Sequence, residues 1–583
     1  MSQNGFFIVA LKQDYLAASG IALDYVHRAR ALGYHLSYRS RRVFCLSKPE
    51  MAVTEAAPFG ATIGTVFGNR HSRYGEAPPD LTTKRSTDDF FHALREVWGS
   101  YVAIWDDPRD EGASLFRDPS GSLPCYYYHA SDGTTLISSR ADHIRDVSAI
   151  KPDIRWHVIR RMARNPHLRT HQTALEGVEE LLPGYSLKIG ANNVREIWSP
   201  WHFAEPALRI QRVEEATTLV RETIDRIMQC WASRLDQTII GLSGGLDSSI
   251  VAASAAKTSL QAICLTITSG TASGDERYYA RAAAADRFPL IEEALRIEDV
   301  NIRRSGASHC PRPLGRSLVQ AIDAVNLRVA AQTGATAFLH GGGGDNVFCH
   351  LQSVAPIIDR LYCDGIGRPL TATLFDTCRA GDTDIWTAIG LCARRLIARR
   401  REYRWPDDLR FLDDGVRRED VPVVDHSWLR SPRHALPGSA SHIAYILAIQ
   451  TYIEGSDREL VAPVVAPLLA QPLVELCLRI PSWMWVSGGI NRSVARRAFE
   501  KDLPATIIRR RSKGVPDGFA IQIFEANKST IREMLCEGEL WKHGIIDRNA
   551  VLDAFLDRGP VRNADYIRLL ALCDMEAWLD SWN

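Results

Sequence analysis

One seven-residue string constrains this chain more than any other: Ser243-Gly244-Gly245-Leu246-Asp247-Ser248-Ser249. It follows a compact apolar run, Thr238-Ile239-Ile240-Gly241-Leu242, and opens an alanine-rich stretch from Ser248 to Ala256. Apolar run, glycine turn and helix in that order predict one unit of a parallel α/β sheet. Glycines let the backbone approach a bulky anion, and the N–H groups at the helix start point toward it. Ser243 and Ser248 add hydroxyl donors, and Asp247 offers a hard oxygen to a divalent cation. The Lys-Ser/Thr ending of a Walker A loop is absent, so the phosphate chemistry expected here is of another kind.

The surroundings extend the pattern. A helix-length stretch from Val213 to Leu235 precedes the string; a second apolar run, Ala262 to Ile267, and a helix around Glu276 to Arg287 follow it. Ala337-Phe338-Leu339 then leads into a second glycine cluster, His340-Gly341-Gly342-Gly343-Gly344-Asp345. Strand and helix alternating in this way predict a doubly wound parallel sheet, which places ligands beyond the carboxyl ends of its strands. Both glycine clusters fall there. Residues 1–205 read differently. Trp98 to Trp105 ends at Asp106-Asp107-Pro108, and Pro124 to Tyr128 ends at His129-Ala130-Ser131-Asp132-Gly133, which is the punctuation of antiparallel hairpins. With Trp198-Ser199-Pro200-Trp201 as a linker, the 583 residues divide into an α+β domain over 1–205 and an α/β domain with helical additions over 206–583.

Composition narrows the partners. Seventy Lys and Arg against 69 Asp and Glu provide no whole-chain drive toward nucleic acid or an acidic membrane. No apolar run nears the roughly 20 residues that span a bilayer. Twelve scattered cysteines without a CxxC pair predict reduced thiols and a cytoplasmic protein. An arginine-dense stretch (Arg394, Arg395, Arg399, Arg400, Arg401, Arg404) reads as a solvated helix face or a domain contact, in preference to a peptide-binding surface.

The Ser243 to Ser249 string resembles the pyrophosphate-binding loop of the ATP-pyrophosphatase group, specifically its asparagine-synthetase-like branch. That resemblance implies ATP and Mg²⁺, adenylation of a carboxylate with release of pyrophosphate, and attack by an amine. Asp275-Glu276 follows the second strand as in that branch. His340 to Phe348 resembles its second loop, making Asp345 the other Mg²⁺ contact beside Asp247, and Leu503 to Gly514 resembles the segment whose lysine, here Lys513, steadies charge during acyl transfer. By the same resemblance Leu242 and Ile267 frame the adenine, His340 and Gly341 stand beside the ribose or base, and Ser243, Gly244, Gly245, Ser248 and Ser249 hold phosphates. Arg492 and Arg496, one helical turn apart, share a face that suits a phosphate contact or ordinary salt bridging equally.

The first domain resembles the glutamine-hydrolysing, Ntn-hydrolase-like half of asparagine synthetase, a sandwich of two antiparallel sheets with helices outside. The family's nucleophile is a cysteine opening the mature chain; here Ser2 follows Met1 and the first cysteine is Cys45, so scaffolding is the expected role. Gly342 stands where asparagine synthetase has a glutamate and β-lactam synthetase a tyrosine. Glu454 is the candidate substitute as amine-activating base, against a stronger reading as a solvated carboxylate. The second loop ending Asp345-Asn346-Val347-Phe348, then Gln352-Ser353 and Pro356, together with Arg510-Arg511-Ser512-Lys513-Gly514, looks most like the lasso peptide cyclases, a family that adenylates an Asp or Glu side chain of a precursor peptide and lets its N-terminal amine close an isopeptide ring. That implies a precursor peptide substrate and a leader peptidase as a partner. An ammonia-dependent asparagine synthetase, a small-molecule lactam synthetase and an inactive scaffold are the alternatives.

Overall fold

The computed structural model describes residues 5–11, 19–56, 59–68, 86–191, 193–270, 274–398, 402–418, 426–511, 517–556 and 565–583. Strand Phe6–Leu11 is buried along its whole length, and period-2 alternation says why. Phe6, Ile8 and Ala10 point into a core shared with Ile63, Val102, Ile104 and Leu115 of a second sheet. Phe7, Val9 and Leu11 point the other way, onto Val26 and Ala29 of helix Ser19–Ala31 and onto Ile144 and Val147 of helix Ala141–Ser148.

The first sheet runs, edge to edge, Val178–Glu180, Tyr126–His129, Thr134–Ser138, Phe6–Leu11, Val43–Ser47 and His35–Arg39, all antiparallel. The second runs Asn193–Glu196, Tyr185–Lys188, Ser114–Arg117, Trp98–Trp105, Gly60–Phe67 and Val53–Ala56, again antiparallel. Helix Thr87–Leu94 covers its outer face, capped by Ser86 and stacking Phe90 on Trp105 at 4.6 Å. Helix, sheet, sheet, helix is the layering expected of the first 205 residues.

The remainder is built on a five-stranded parallel sheet in the order Leu290–Ala294, Ala262–Thr268, Thr238–Gly241, Ala337–His340, Val464–Val465. Helices Val213–Ala232 and Leu246–Ala255 pack on one face through Ile240, Cys264 and Leu339. Helix Ser317–Thr333 packs on the other through Ile239, Leu265 and Phe338. The chain leaves the central strand Thr238–Gly241 toward one edge and returns to its other side with Ala337–His340. The topological switch therefore lies between those two strands, where such sheets open a crevice for ligands.

Helices Ala355–Asp364, Arg368–Ala380 and Ile385–Ile397 form an addition with its own small core around Ile357, Ile358 and Ala388. Two of the arginines in the dense stretch, Arg394 and Arg395, belong to the last of these helices. Arg404 lies beyond it, and Arg399 to Arg401 are outside the described residues. The outer side of that helix is not merely charged: Trp386 is 81% exposed and Ile397 82%. None of the twelve cysteines is in a disulfide, and no helix among the described residues is long and apolar enough to cross a membrane.

Candidate active site

The two glycine clusters emerge side by side because their strands are in register, Gly241 opposite His340. Beyond the strand ends they enclose a cavity of about 370 Å³. The first loop turns at Gly244, whose φ of +66° is unfavourable for a side chain and whose Cβ would meet Tyr279 at 2.4 Å, so the loop lies directly on helix Arg277–Ala284. Within the loop the Ser243 N–H donates to Ser248 Oγ at 3.2 Å, and Ser248 Oγ donates to the Gly245 carbonyl at 3.3 Å. These bonds hold the start of helix Leu246–Ala255, with the N–H groups of its first turn, at the cavity floor.

The second loop comes close to the first at Gly344, where an added Cβ would stand 2.4 Å from Asp247 Cγ. That clearance brings Asp345 opposite Asp247. Arg492 Nη1 donates to Asp247 Oδ1 at 3.2 Å and Oδ2 at 3.0 Å, and also bonds Asp345 Oδ1. One nitrogen thus reaches both carboxylates. His350 Nδ1 lies 3.3 Å from the same Asp345 oxygen. Two hard, anionic oxygen donors converging on a single cationic group are a donor set suited to Mg²⁺, and Arg492 stands in for such an ion here.

Of the residues expected at the nucleotide, Leu242, Ser243, Gly245, Asp247, Ser248, Ile267, His340, Gly341 and Asp345 all line the cavity. Burial pushes the His340 imidazole down to about 3, so it faces the cavity neutral, with Nδ1 accepting the Gly342 N–H at 3.0 Å. Two residues depart from expectation. Gly244 shapes the loop without lining the cavity, and Ser249 sits fully buried one position further along the helix, off the cavity wall. Lys513 falls outside the described residues.

Glu454 is placed elsewhere, which corrects both readings of it. It is neither solvated nor in the cavity of the glycine loops. It pairs with Arg169 Nη2 at 2.5 Å, accepts from Tyr126 Oη at 2.5 Å, and borders a separate cavity of about 560 Å³ between sandwich and parallel sheet. A buried carboxylate holding a guanidinium and a phenol is committed to that network.

The arginines were the under-read residues. Arg492, Arg496, Arg510 and Arg511 all line the cavity. Arg510 bonds Glu276 Oε1 at 2.5 Å and the Gly244 carbonyl at 3.3 Å, and its guanidinium lies 3.8 Å from the Tyr279 ring centroid. Burial, then the neighbouring Arg492, lowers Arg496 to about 10, which leaves it charged at neutral pH. The signal was available in Ile508-Arg509-Arg510-Arg511: a basic run just ahead of the lysine segment, whose reach to the first loop is fixed only by the fold. Four guanidiniums against the carboxylates of Asp247, Asp345 and Glu276 still leave the cavity with an excess of positive charge, fit for a polyphosphate.

Comparison with known proteins agrees with this geometry. A family model described as asparagine synthase matches residues 219–580. A second, described as a glutamine amidotransferase domain, matches residues 89–201. No curated protein matches the chain. Among solved structures, glutamine phosphoribosylpyrophosphate (PRPP) amidotransferase from B. subtilis, complexed with ADP and GMP, is 11% identical over 50% of this chain and 81% of that chain, with a TM-score of 0.20. So loose a likeness has no bearing on the site. The asparagine synthase match, by contrast, spans more than half of the sequence and contains both acids and all four arginines, and the chain belongs to the asparagine synthase family.

Proposed function

We propose that this protein adenylates an Asp or Glu side-chain carboxylate of a precursor peptide with ATP and lets the peptide's own N-terminal amine displace AMP, closing an isopeptide ring. Family membership carries ATP-dependent amide ligation in general. The observation that carries the nucleotide chemistry is the convergence of Asp247 and Asp345, at the ends of two adjacent parallel strands, on one cationic group. Mg²⁺ held by these carboxylates would neutralise charge on the phosphate oxygens.

The chain's own residues do the rest by position. The N–H groups opening helix Leu246–Ala255 and the hydroxyls of Ser243 and Ser248 take up the pyrophosphate end, and Arg510 and Arg511 stand along its path. In the first step a substrate carboxylate oxygen bonds to the α-phosphorus as the bond to pyrophosphate breaks. In the second the amine nitrogen bonds to the acyl carbon, AMP leaves, and the amine gives up a proton.

Two features favour an amine that arrives with the substrate. Cys45 and Cys125, the two cysteines of the sandwich, are fully buried, and burial pushes both thiols far up, Cys125 to about 12, so neither is a thiolate. Beside the second loop, a Cβ at Gly342 would meet His340 Nδ1 at 2.5 Å, so that position carries no acid–base side chain. Holding both reacting groups on one molecule turns the enzyme's task into orientation, where effective molarity supplies much of the rate. The asparagine synthase match supports a second reading equally: a small carboxylate substrate joined to ammonia or to its own amine.

Exchange of labelled pyrophosphate into ATP separates the readings. Peptides with a free N-terminus and an internal Asp or Glu should drive exchange and yield a product lighter by one water, with AMP. Exchange driven by aspartate alone, or asparagine formed from aspartate and ammonium, replaces the peptide with the small substrate. ADP in place of AMP overturns both.

A further inference from the structure

Arg492 is the most unusual residue of the cavity. It is one of few non-glycine residues with positive φ, at +53° and ψ +34°, a left-handed conformation that long side chains rarely adopt. The turn that imposes this is firmly tied. Arg496 Nε donates to the Asn491 carbonyl at 2.8 Å, its Nη2 to Asn491 Oδ1 at 3.0 Å, and its Nη1 to the Ile508 carbonyl at 2.6 Å. Ser493 Oγ donates to the Met484 carbonyl at 2.5 Å. The strained backbone aims one guanidinium, only 11% exposed, at both acids of the site.

A divalent cation on Asp247 and Asp345 and a guanidinium on the same oxygens exclude one another, since two cations cannot share those lone pairs at contact distance. We propose that Arg492 is an exchangeable counter-ion: it holds the two acids together and keeps free divalent metal out, and yields them only when metal enters with a triphosphate. The phosphate oxygens then take the guanidinium in exchange, beside Arg510 and Arg511. Metal and nucleotide thereby bind as a coupled pair, and by linkage each raises the other's affinity by the same factor. The inference rests on the reading of this cavity as the ATP site and adds to it a selection for the metal–nucleotide complex over either part.

The test is a Mn²⁺ titration of the full-length protein followed by electron paramagnetic resonance, with and without α,β-methylene-ATP. Wild type should bind Mn²⁺ at this site only with the analogue. Arg492→Gln should bind Mn²⁺ alone at least tenfold more tightly than wild type, and adding Asp345→Asn to it should abolish that gain. The variant should also hold the Mn²⁺–analogue complex less tightly. Arg492→Asn, whose side chain is at home in the left-handed region, guards against a folding defect and should behave alike. Equal Mn²⁺ affinity of wild type and both variants without nucleotide overturns the counter-ion role while leaving the nucleotide site standing. Failure of every protein to bind Mn²⁺ even with the analogue overturns the site and the inference together.

Discussion

Two sets of buried charges in this protein are built to opposite ends. Between sandwich and parallel sheet, Glu180 accepts from Arg117 Nη1 at 2.6 Å, from Arg169 Nη2 at 2.5 Å and from Arg312, while Arg169 also holds Glu454. Every one of these side chains is buried, and they come from both halves of the chain. In the nucleotide cavity two carboxylates share a single arginine, and Asp345 is 41% exposed at the cavity mouth. The first set places three arginines against two glutamates and ties the halves together. The second opens onto a cavity that Arg510 and Arg511 also line, Arg510 paired with Glu276 and Arg511 bonded to backbone carbonyls. Ion pairs buried on every side fix a structure; charges that line a cavity and reach its mouth make a site.

The sharpest way to break that comparison is to remove an acid from each set. Asp345→Asn should cut AMP formation on the order of 10³-fold, because the loss of a metal ligand costs several kcal/mol in the transition state. Its urea midpoint should stay close to wild type, since the side chain is partly solvated. Glu180→Gln should do the reverse. It leaves the arginines without their counter-charge and should lower stability by about 3–5 kcal/mol, read by urea unfolding, while the folded fraction retains its turnover. A Glu180 variant that is stable but inactive would transfer the network into the catalytic machinery. Gly344→Ala comes next. Its Cβ has no room beside Asp247, and the resulting shift should weaken Mn²⁺–nucleotide binding on the order of tenfold at a cost of about 1–3 kcal/mol in stability.

What the sequence disclosed of all this follows the range of the signal. The phosphate loop was legible because strand, glycine turn and helix are contiguous, and nothing distant is needed to place Ser243, Asp247 or Ser248. The second glycine cluster was legible as another strand followed by a glycine turn, Asp345 was singled out there by family resemblance, and parallel register sets the two loops side by side. The sandwich layers were legible in alternation such as Trp98 to Trp105, which splits into Trp98, Val102 and Ile104 on some contacts and Tyr101, Ala103 and Trp105 on others. Glu454 was not legible. Its partners Arg169 and Tyr126 lie some 300 residues away in sequence, and no local pattern announces an ion pair closed over that distance. Arg492 was seen as basic and helix-facing, yet its left-handed backbone and its hold on both acids depend on Arg496, Asn491 and two separate loops converging. The exposed Trp386 and Ile397 escaped because the arginines of that stretch drew the reading to a charged face, and only the fold shows apolar side chains left uncovered beside it.

The smallest effect sharpens the comparison through a third buried acid. Asp574, on the closing helix Asp565–Trp582, takes its hydrogen bonds from Ser317, whose N–H donates at 3.2 Å and whose Oγ donates at 2.7 Å, and the Arg316 guanidinium opposes its burial only weakly. Burial pushes its carboxyl up to about 7, whereas the three arginines around Glu180 overcome burial and hold that carboxyl well below its ordinary value of 4.5. The two acids therefore give pH slopes of opposite sign. For Asp574 the folded state binds more protons than the unfolded chain between its ordinary value of 3.8 and about 7, so stability falls as pH rises through that window. For Glu180 the unfolded chain binds more protons, so its stabilisation is present above 4.5 and is lost only as pH falls toward the depressed folded value. Asp574→Asn should flatten the decline of the thermal midpoint between pH 5 and pH 7 by an amount equivalent to about 1 kcal/mol, and Glu180→Gln should flatten the acid limb instead. If both variants flatten the same limb, burial and not the company of arginines decides how this protein holds its inner carboxylates, and the contrast between lock and site loses its physical basis.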